Sequence, residues 1–275
     1  MNSRSAFRSY LKGMAGLGLV RALSIVLFIL AIPVALITTN LRVAVSEQRI
    51  YDYAVGSYDA AEASSIPESE LLRANGEIKR YLSAEGAGPL TIQVRNDSGE
   101  IEPLFNARET AHMADVRGLV RWLFAAQVAS VLAVLTVAIV LATWSPRLLA
   151  KAALWGALLT GGILAGVGIL AASGFDSAWT QFHQLAFSND FWQLNPRTDH
   201  LIQMFPEAFW QEVTTLIVMA ILLEAFLIVG ASVVYLLLTR PPDAALVALP
   251  APATAGAPGQ ARPERASPNP RHLFQ

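Results

Sequence analysis

"FNARETAHMADVRGLVRW", Phe105 to Trp122, is polar at its start and opens into a long apolar run at its end. Asn106 with Glu109 three residues later has the pattern of a capping box, so a helix is expected to begin here. Nothing in the stretch stops that helix before the uncharged segment Trp122–Trp144. His112 then rides on the extension, roughly 12–15 Å above Trp122 at 1.5 Å per residue. His112, Val116, Leu119 and Leu123 share one face by helical spacing, and Asp115 lies within i+3 reach of the imidazole.

Three more uncharged runs accompany it: Ala22–Leu41, Ala152–Phe175 and Val213–Thr239, the last interrupted only by Glu224. Each reaches the roughly 20 residues an α-helix needs to cross the hydrocarbon layer. Lipid-facing backbone must satisfy its own hydrogen bonds, so helices are the natural reading. The composition agrees: 54% of residues are hydrophobic and only 15% charged, against about 25% charged in an ordinary soluble domain. The fold expected is an all-α polytopic membrane protein with four transmembrane helices, a small extracytoplasmic α/β cap and an aromatic-rich outer loop. The first run exceeds the roughly 7–15 residues of a signal-peptide core, and "LITTN" offers no small-x-small cleavage site, so a retained anchor is expected.

Basic residues set the orientation. Arg4, Arg8, Lys12 and Arg21 precede the first run, Arg147 and Lys151 sit in the turn "SPRLLAK", and Arg240 follows the fourth run. The expected plan is therefore a cytoplasmic N-terminus (1–16), helix one (17–41), an outer cap (42–118), helix two (119–144), a cytoplasmic turn (145–151), helix three (152–174), an outer aromatic lid (175–211), helix four (212–239) and a disordered Ala/Pro-rich cytoplasmic tail (240–275). The tail includes His272, which is not a site candidate. No cysteine is present, which removes a cysteine nucleophile, a thiolate metal site and a disulfide framework. A net charge of −1 gives no footprint for nucleic acid.

Within the cap, "SIPESELLRANGEIKRYL" reads as a helix with a Ser65/Glu68 capping box and Leu71, Ile78 and Leu82 on one face. "LTIQVRNDSGEIEPLF" reads as a hairpin turning at Asn96–Gly99. The lid holds nine of the 24 aromatic residues between Phe175 and Trp210. Aromatic belts at membrane surfaces are ordinary. This stretch also carries His183, Asp190, Trp192, Asn195, Arg197, Asp199 and His200, and rings mixed with convergent polar groups can roof a lipid-binding cleft. Gly162 and Gly166 in "GGILAGVG" form a small-xxx-small pattern, read as helix packing.

"LFNARETAHMADVRGLV" and "FHQLAFSNDFWQLNPRTDHLIQMFPEAFW" resemble signature stretches of the bacterial lipoprotein intramolecular transacylase family. The four-helix plan and the cap between helices one and two match it as well, and the resemblance covers roughly residues 10–238. It implies an enzyme of the bacterial cytoplasmic membrane with its active site at the outer leaflet. Such an enzyme moves an acyl chain from the sn-2 glycerol ester of a diacylglyceryl lipoprotein to the amine of its N-terminal cysteine, giving the lyso-form. The family's paired histidines fall on His112 and His183; His200 lies outside the pattern. The implied partner is the diacylglyceryl lipoprotein; membrane phospholipid is expected beside it, with no nucleic acid, no metal, no cofactor and a single copy of the chain.

That chemistry suits imidazoles. Ester aminolysis needs a base for the amine proton, a donor for the tetrahedral oxyanion and a proton for the leaving alkoxide. Donor ester and acceptor amine belong to one molecule, so orientation carries much of the work. His112 is the slightly preferred base, because Asp115 can raise its basicity. Asp115 also reads as a plain helix carboxylate. Asn106 and Glu109 are explained as a cap, with a polar role at the cleft as the alternative. Ser188 is a nucleophile candidate whose "SND" context is also an ordinary turn. Arg197 and Asp199 sit in the turn "NPRTD", which would orient the lid. Arg117 reads as a headgroup-phosphate contact or as no contact at all. Glu224, costly in lipid, reads as a carboxyl bonded to a neighbouring helix. Two other functions fit the outer histidines: a metal-dependent hydrolase using His112, His183 and Asp115 or Asp176, and a non-catalytic lipid-binding scaffold.

Overall fold

The computed structural model describes residues 3–83, 88–171 and 174–241, with backbone only for 3–16 and 170–171. The stretch assigned to a tail lies outside the described residues from residue 242 onward. Among the described residues nine helices and one hairpin follow in chain order: α1 (Ser3–Ser46), α2 (Gln48–Ser57), α3 (Ala60–Ser64), α4 (Glu68–Leu82), β1 (Gln93–Arg95), β2 (Ile101–Pro103), α5 (Ala107–Trp144), α6 (Pro146–Ala171), α7 (Phe175–Ala186), α8 (His200–Met204) and α9 (Glu207–Leu238).

Within α1, α5, α6 and α9 lie four segments long and apolar enough to cross a membrane. Helix α1 packs on α5 and α6, and α6 packs on α9. Their outward faces carry rows of large apolar side chains, among them Leu132, Leu135, Ile139, Leu222 and Phe226, all more than 40% exposed. A soluble protein does not leave so much apolar surface in water. Near the α5–α6 turn the inward face closes around Phe28, Ile32, Val137, Leu141 and Ala152. Arg147 on that turn donates to the Leu236 carbonyl at 3.0 Å and to the Thr239 hydroxyl at 2.6 Å, tying α6 to the end of α9.

The close helix contact falls elsewhere than the glycine pattern suggests. A Cβ added at Gly162 or Gly166 would meet nothing within 4 Å, whereas one at Gly156 would lie 2.5 Å from Ile32 Cδ1. Spacing alone does not select the face that docks, and α1 crosses α6 one helical stretch earlier.

At the other end of the bundle, α2, α3, α4 and the hairpin form a cap with its own core. Leu71, Ile78, Ile66 and Leu104 are fully buried there, together with Met204 of α8 and Phe209 of α9. The two strands pair antiparallel, Val94 opposite Glu102, with Gly99 at φ +85° in the turn. The Ser65/Glu68 capping box does not form. Ser65 ends α3 in the left-handed conformation at φ 56°, and Pro67 precedes α4 without a side-chain cap. The short helix α3 takes Ser65 for its own terminus. Glu212 at the start of α9 accepts from Tyr53 at 2.9 and 3.0 Å and from Tyr58 at 2.6 Å, which pins the cap to the bundle.

Helix α5 runs unbroken from the cap into the bundle. Its capping box is complete: Asn106 Oδ1 accepts from the backbone N–H of Arg108 and Glu109, and the Glu109 carboxyl accepts from the Asn106 N–H. Its buried face at the cap end includes His112, Met113, Arg117 and Val120, while Leu119 is 39% exposed.

Candidate functional site

Helix α7 is the element that completes the site. It is amphipathic, with His183 as its buried residue and Phe182 and Leu185 exposed. It carries His183 to His112 on α5, so that the ring centroids lie 6.0 Å apart at an interplanar angle of 36°. Both rings are nearly removed from solvent, at 7% and 6% exposure. Two imidazoles distant in the chain therefore lie side by side in one buried pair.

An aromatic enclosure surrounds them. Trp192 stacks on His183 at 5.0 Å, and Trp179 meets the same ring edge-on at 4.5 Å. Phe187 contacts both histidines, at 5.1 Å from His112 and 5.7 Å from His183. Trp179 in turn stacks on Trp210 of α9 at 5.3 Å. Such walls lower the local polarity and strengthen any electrostatic interaction within them.

The hydrogen bonds distinguish the two imidazoles. His183 Nδ1 lies 2.8 Å from the Trp179 carbonyl, four residues earlier in α7. A carbonyl only accepts, so Nδ1 carries the proton in that bond and the neutral ring keeps its lone pair on Nε2. Burial holds the His183 imidazole below its ordinary range, while the bond to Trp179 opposes the shift. His112 Nδ1 is buried and, among the described residues, has no hydrogen-bond partner.

Asp115 is not bonded to His112. It accepts from Asn189 Nδ2 at 2.8 Å, and Asn189 Oδ1 accepts the Phe191 N–H at 3.0 Å. This pair ties the loop after α7 to α5, beside the histidines. Ser188 is exposed in the same bend. Arg108 donates to the Asp190 carbonyl at 2.6 Å, a second tie between the same elements.

Asn106, Glu109 and Asp199 form a separate polar clamp. Glu109 is 1% exposed, and its two oxygens accept from the Asn106 N–H at 2.8 Å and the Leu201 N–H at 2.7 Å. One carboxyl thus serves the starts of both α5 and α8, where unpaired N–H groups collect. Asp199 accepts from Asn106 Nδ2 at 3.0 Å, the Asn195 N–H at 2.7 Å and the Thr198 hydroxyl at 3.1 Å. His200 donates through Nδ1 to the Leu104 carbonyl at 2.7 Å, which makes it a pin between lid and cap. A cavity of about 380 Å³ lies against this clamp, lined by Asn106, Glu109, Thr198 and His200 among others; neither His112 nor His183 lines it.

Three further residues sit apart from the pair. Arg197 is exposed, its backbone N–H bonded to Asn195 Oδ1. Arg117 is buried at 7% exposure, donates to the Gly88 carbonyl at 3.0 Å and lies 4.4 Å over the Tyr81 ring, so it is a cap contact. Glu224 accepts from Asn40 Nδ2 at 2.8 Å, joining α9 to α1. Among the described residues no three His, Asp or Glu side chains converge in a way that holds a metal ion. Trp179, Phe187 and Asn189 were not singled out from the sequence. The i,i+4 spacing of Trp179 and His183 is legible there once α7 is taken as a helix.

Comparison with known proteins bears on the family and the fold. A family model described as lipoprotein intramolecular transacylase Lit matches residues 26–210. Among curated proteins no relative matches. The in meso structure of the membrane integral lipoprotein intramolecular transacylase Lit from Bacillus cereus is 21% identical, with a TM-score of 0.69 over 80% of this chain and 97% of that one. Two in meso structures of the same Bacillus cereus protein carry a histidine replaced by arginine or by alanine. They are 20% identical, with TM-scores of 0.67 over 82% of this chain and 96% and 97% of theirs. At that identity the structural likeness speaks for the fold. The family match spans about two thirds of the sequence, and this four-helix membrane protein belongs to the lipoprotein intramolecular transacylase family.

Proposed function

We propose that the site formed by His112 of α5 and His183 of α7 moves an acyl chain from the sn-2 glycerol oxygen of a diacylglyceryl lipoprotein to the α-amine of its lipidated cysteine. In this reading His183 is the base. Among the described residues no donor bonds its Nε2, while the Trp179 bond fixes the tautomer and ring orientation. As the amine nitrogen bonds to the ester carbon, its proton passes to His183 Nε2. His112, with its proton on Nε2, donates to the tetrahedral oxyanion. Collapse breaks the bond from carbon to the sn-2 oxygen, and the His183 imidazolium returns the proton to that oxygen. Amide and alcohol balance amine and ester, and no further reactant is consumed. The assignment moves the base from His112 to His183, because Asp115 is engaged by Asn189 rather than by the imidazole.

The aromatic walls exclude water, which would otherwise compete with the amine for the ester. Asn106, Glu109 and Asp199 hold the lid, Asp115 holds the loop after α7, and Trp192 packs the base. Ser188 and Arg197 take no part in the transfer. The same reading places the cap and cleft at the outer leaflet of a bacterial cytoplasmic membrane. The α5–α6 turn, with Arg147 and Lys151, then faces the cytoplasm. The chain works as a single copy among membrane phospholipids.

The observation that carries the proposal is the 6.0 Å approach of two buried imidazoles from distant helices. The test is mass spectrometry of a diacylglyceryl lipopeptide incubated with the full chain in vesicles. Wild type should convert S-diacylglyceryl peptide to the N-acyl, S-monoacylglyceryl isomer of identical mass, distinguished by fragmentation. His183→Ala and His112→Ala should each lower turnover by about 10²–10⁴-fold with unchanged helicity. Full turnover in either variant would refute the assignment.

A further inference from the structure

A second concave site lies between α1, α4 and α5. It has a volume of about 450 Å³ and is lined by Arg42, Ser46, Lys79, Arg80, Ser83 and Phe124. Among the described residues its lining consists of three cations, two hydroxyls and one ring. The proposed acyl transfer uses none of these residues.

Its depth in the bundle is the second observation. Phe124 precedes the last residue of α5, Trp144, by twenty residues, about 30 Å along the axis, which is the thickness of the hydrocarbon layer. Arg42 stands where the uncharged run of α1 ends. The cavity therefore sits at the level where hydrocarbon gives way to headgroups, its Phe124 side toward the chains and its α4 side toward water.

The cations retain donor capacity. Arg42 gives Nη1 to Gln127 at 2.9 Å and lies 4.6 Å over the Phe124 ring, which orients the guanidinium. Arg80 uses Nε on the Gly76 carbonyl at 3.2 Å. Among the described residues the Lys79 ammonium makes no hydrogen bond. Glu47, next to Ser46, is engaged by Arg49 at 2.9 Å, and Lys79 acts on it only electrostatically.

We propose that this cavity seats the phosphate of an anionic glycerophospholipid, gripped from the membrane side by Arg42 and from the cap side by Lys79 and Arg80. The substrate of the proposed transfer carries no phosphodiester in its diacylglyceryl group, so this is a second lipid and a separate site. A bound headgroup bridges α1 and α4, fixing the cap on the bundle.

Native mass spectrometry of the full chain in neutral detergent tests this, with phosphatidylglycerol or phosphatidylcholine added at equal concentration. Wild type should retain phosphatidylglycerol preferentially. Each basic residue is worth about fivefold in affinity, so the Lys79→Gln/Arg80→Gln pair should lower retention by about thirtyfold. Arg42→Gln, from the other wall, should lower it by at least about fivefold. Unchanged retention in both variants overturns the proposal, as does equal retention of phosphatidylcholine. Displacement by inorganic phosphate at equal concentration would identify a soluble anion as the ligand and remove the lipid.

Discussion

Glu109 is the residue whose replacement gives the sharpest test of how the lid is held. Its carboxyl is 1% exposed and accepts from two backbone N–H groups, Asn106 at 2.8 Å and Leu201 at 2.7 Å. Glu109→Ala leaves both buried donors without their side-chain acceptor. A buried unsatisfied donor costs about 1–3 kcal/mol, so the pair costs about 4 kcal/mol at mid-range. Glu109→Gln keeps one carbonyl oxygen but turns its NH₂ toward the other donor, so about half that loss is expected, about 2 kcal/mol. For a chain of this size, 1 kcal/mol moves the midpoint by about 2–4 °C. Thermal unfolding of the full chain in detergent should therefore show a fall of about 8–16 °C for Glu109→Ala and about 4–8 °C for Glu109→Gln. Both should raise the protease sensitivity of the segment 195–205 before the bundle unfolds. Equal midpoints for the two variants would refute the two-acceptor argument. So would an alanine variant within about 2 °C of wild type.

Other expectations follow from single contacts. Burial lowers the His183 pKa from its ordinary 6.5, so the unfolded chain binds more protons just below that value. The stability contributed by neutral His183 is complete above pH 6.5 and is lost as pH falls toward the lowered folded value. The acid limb of kcat/KM should likewise lie below 6.5, and a limb above it would exclude His183 as the base. Gly156→Val should destabilise the bundle by about 1–3 kcal/mol through overpacking on Ile32, and Ile32→Ala in the same chain should recover part of that loss in a double-mutant cycle. Glu224→Gln keeps an acceptor for Asn40 and should change stability by less than about 1 kcal/mol, with acyl transfer unaltered; loss of transfer would bring Glu224 into the mechanism.

The four apolar runs, the cap on α5 and the hairpin were legible in the residues because each is a local pattern. Length and hydropathy fix a spanning helix, Asn106 and Glu109 satisfy each other across three residues, and Gly99 supplies the turn. The Ser65/Glu68 pattern failed for an equally local reason that the pattern does not contain: α3 ends on Ser65. The glycines of α6 failed because a motif states which residues permit a close approach and not which face meets a partner.

The site divides in the same way. Two histidines near the expected lid and cap, and their likeness to a family pair, were read from sequence alone. What only the tertiary structure decided is that α7 is a helix carrying His183 to His112 on α5, which brings rings 71 positions apart in the chain to 6.0 Å. It also decided that Asp115 turns to Asn189 and that His183 donates to Trp179. Propensity and periodicity act over a few residues, whereas the partner of a side chain depends on how whole helices dock. Docking is set by the summed packing of many side chains, and no short stretch of the chain contains that sum.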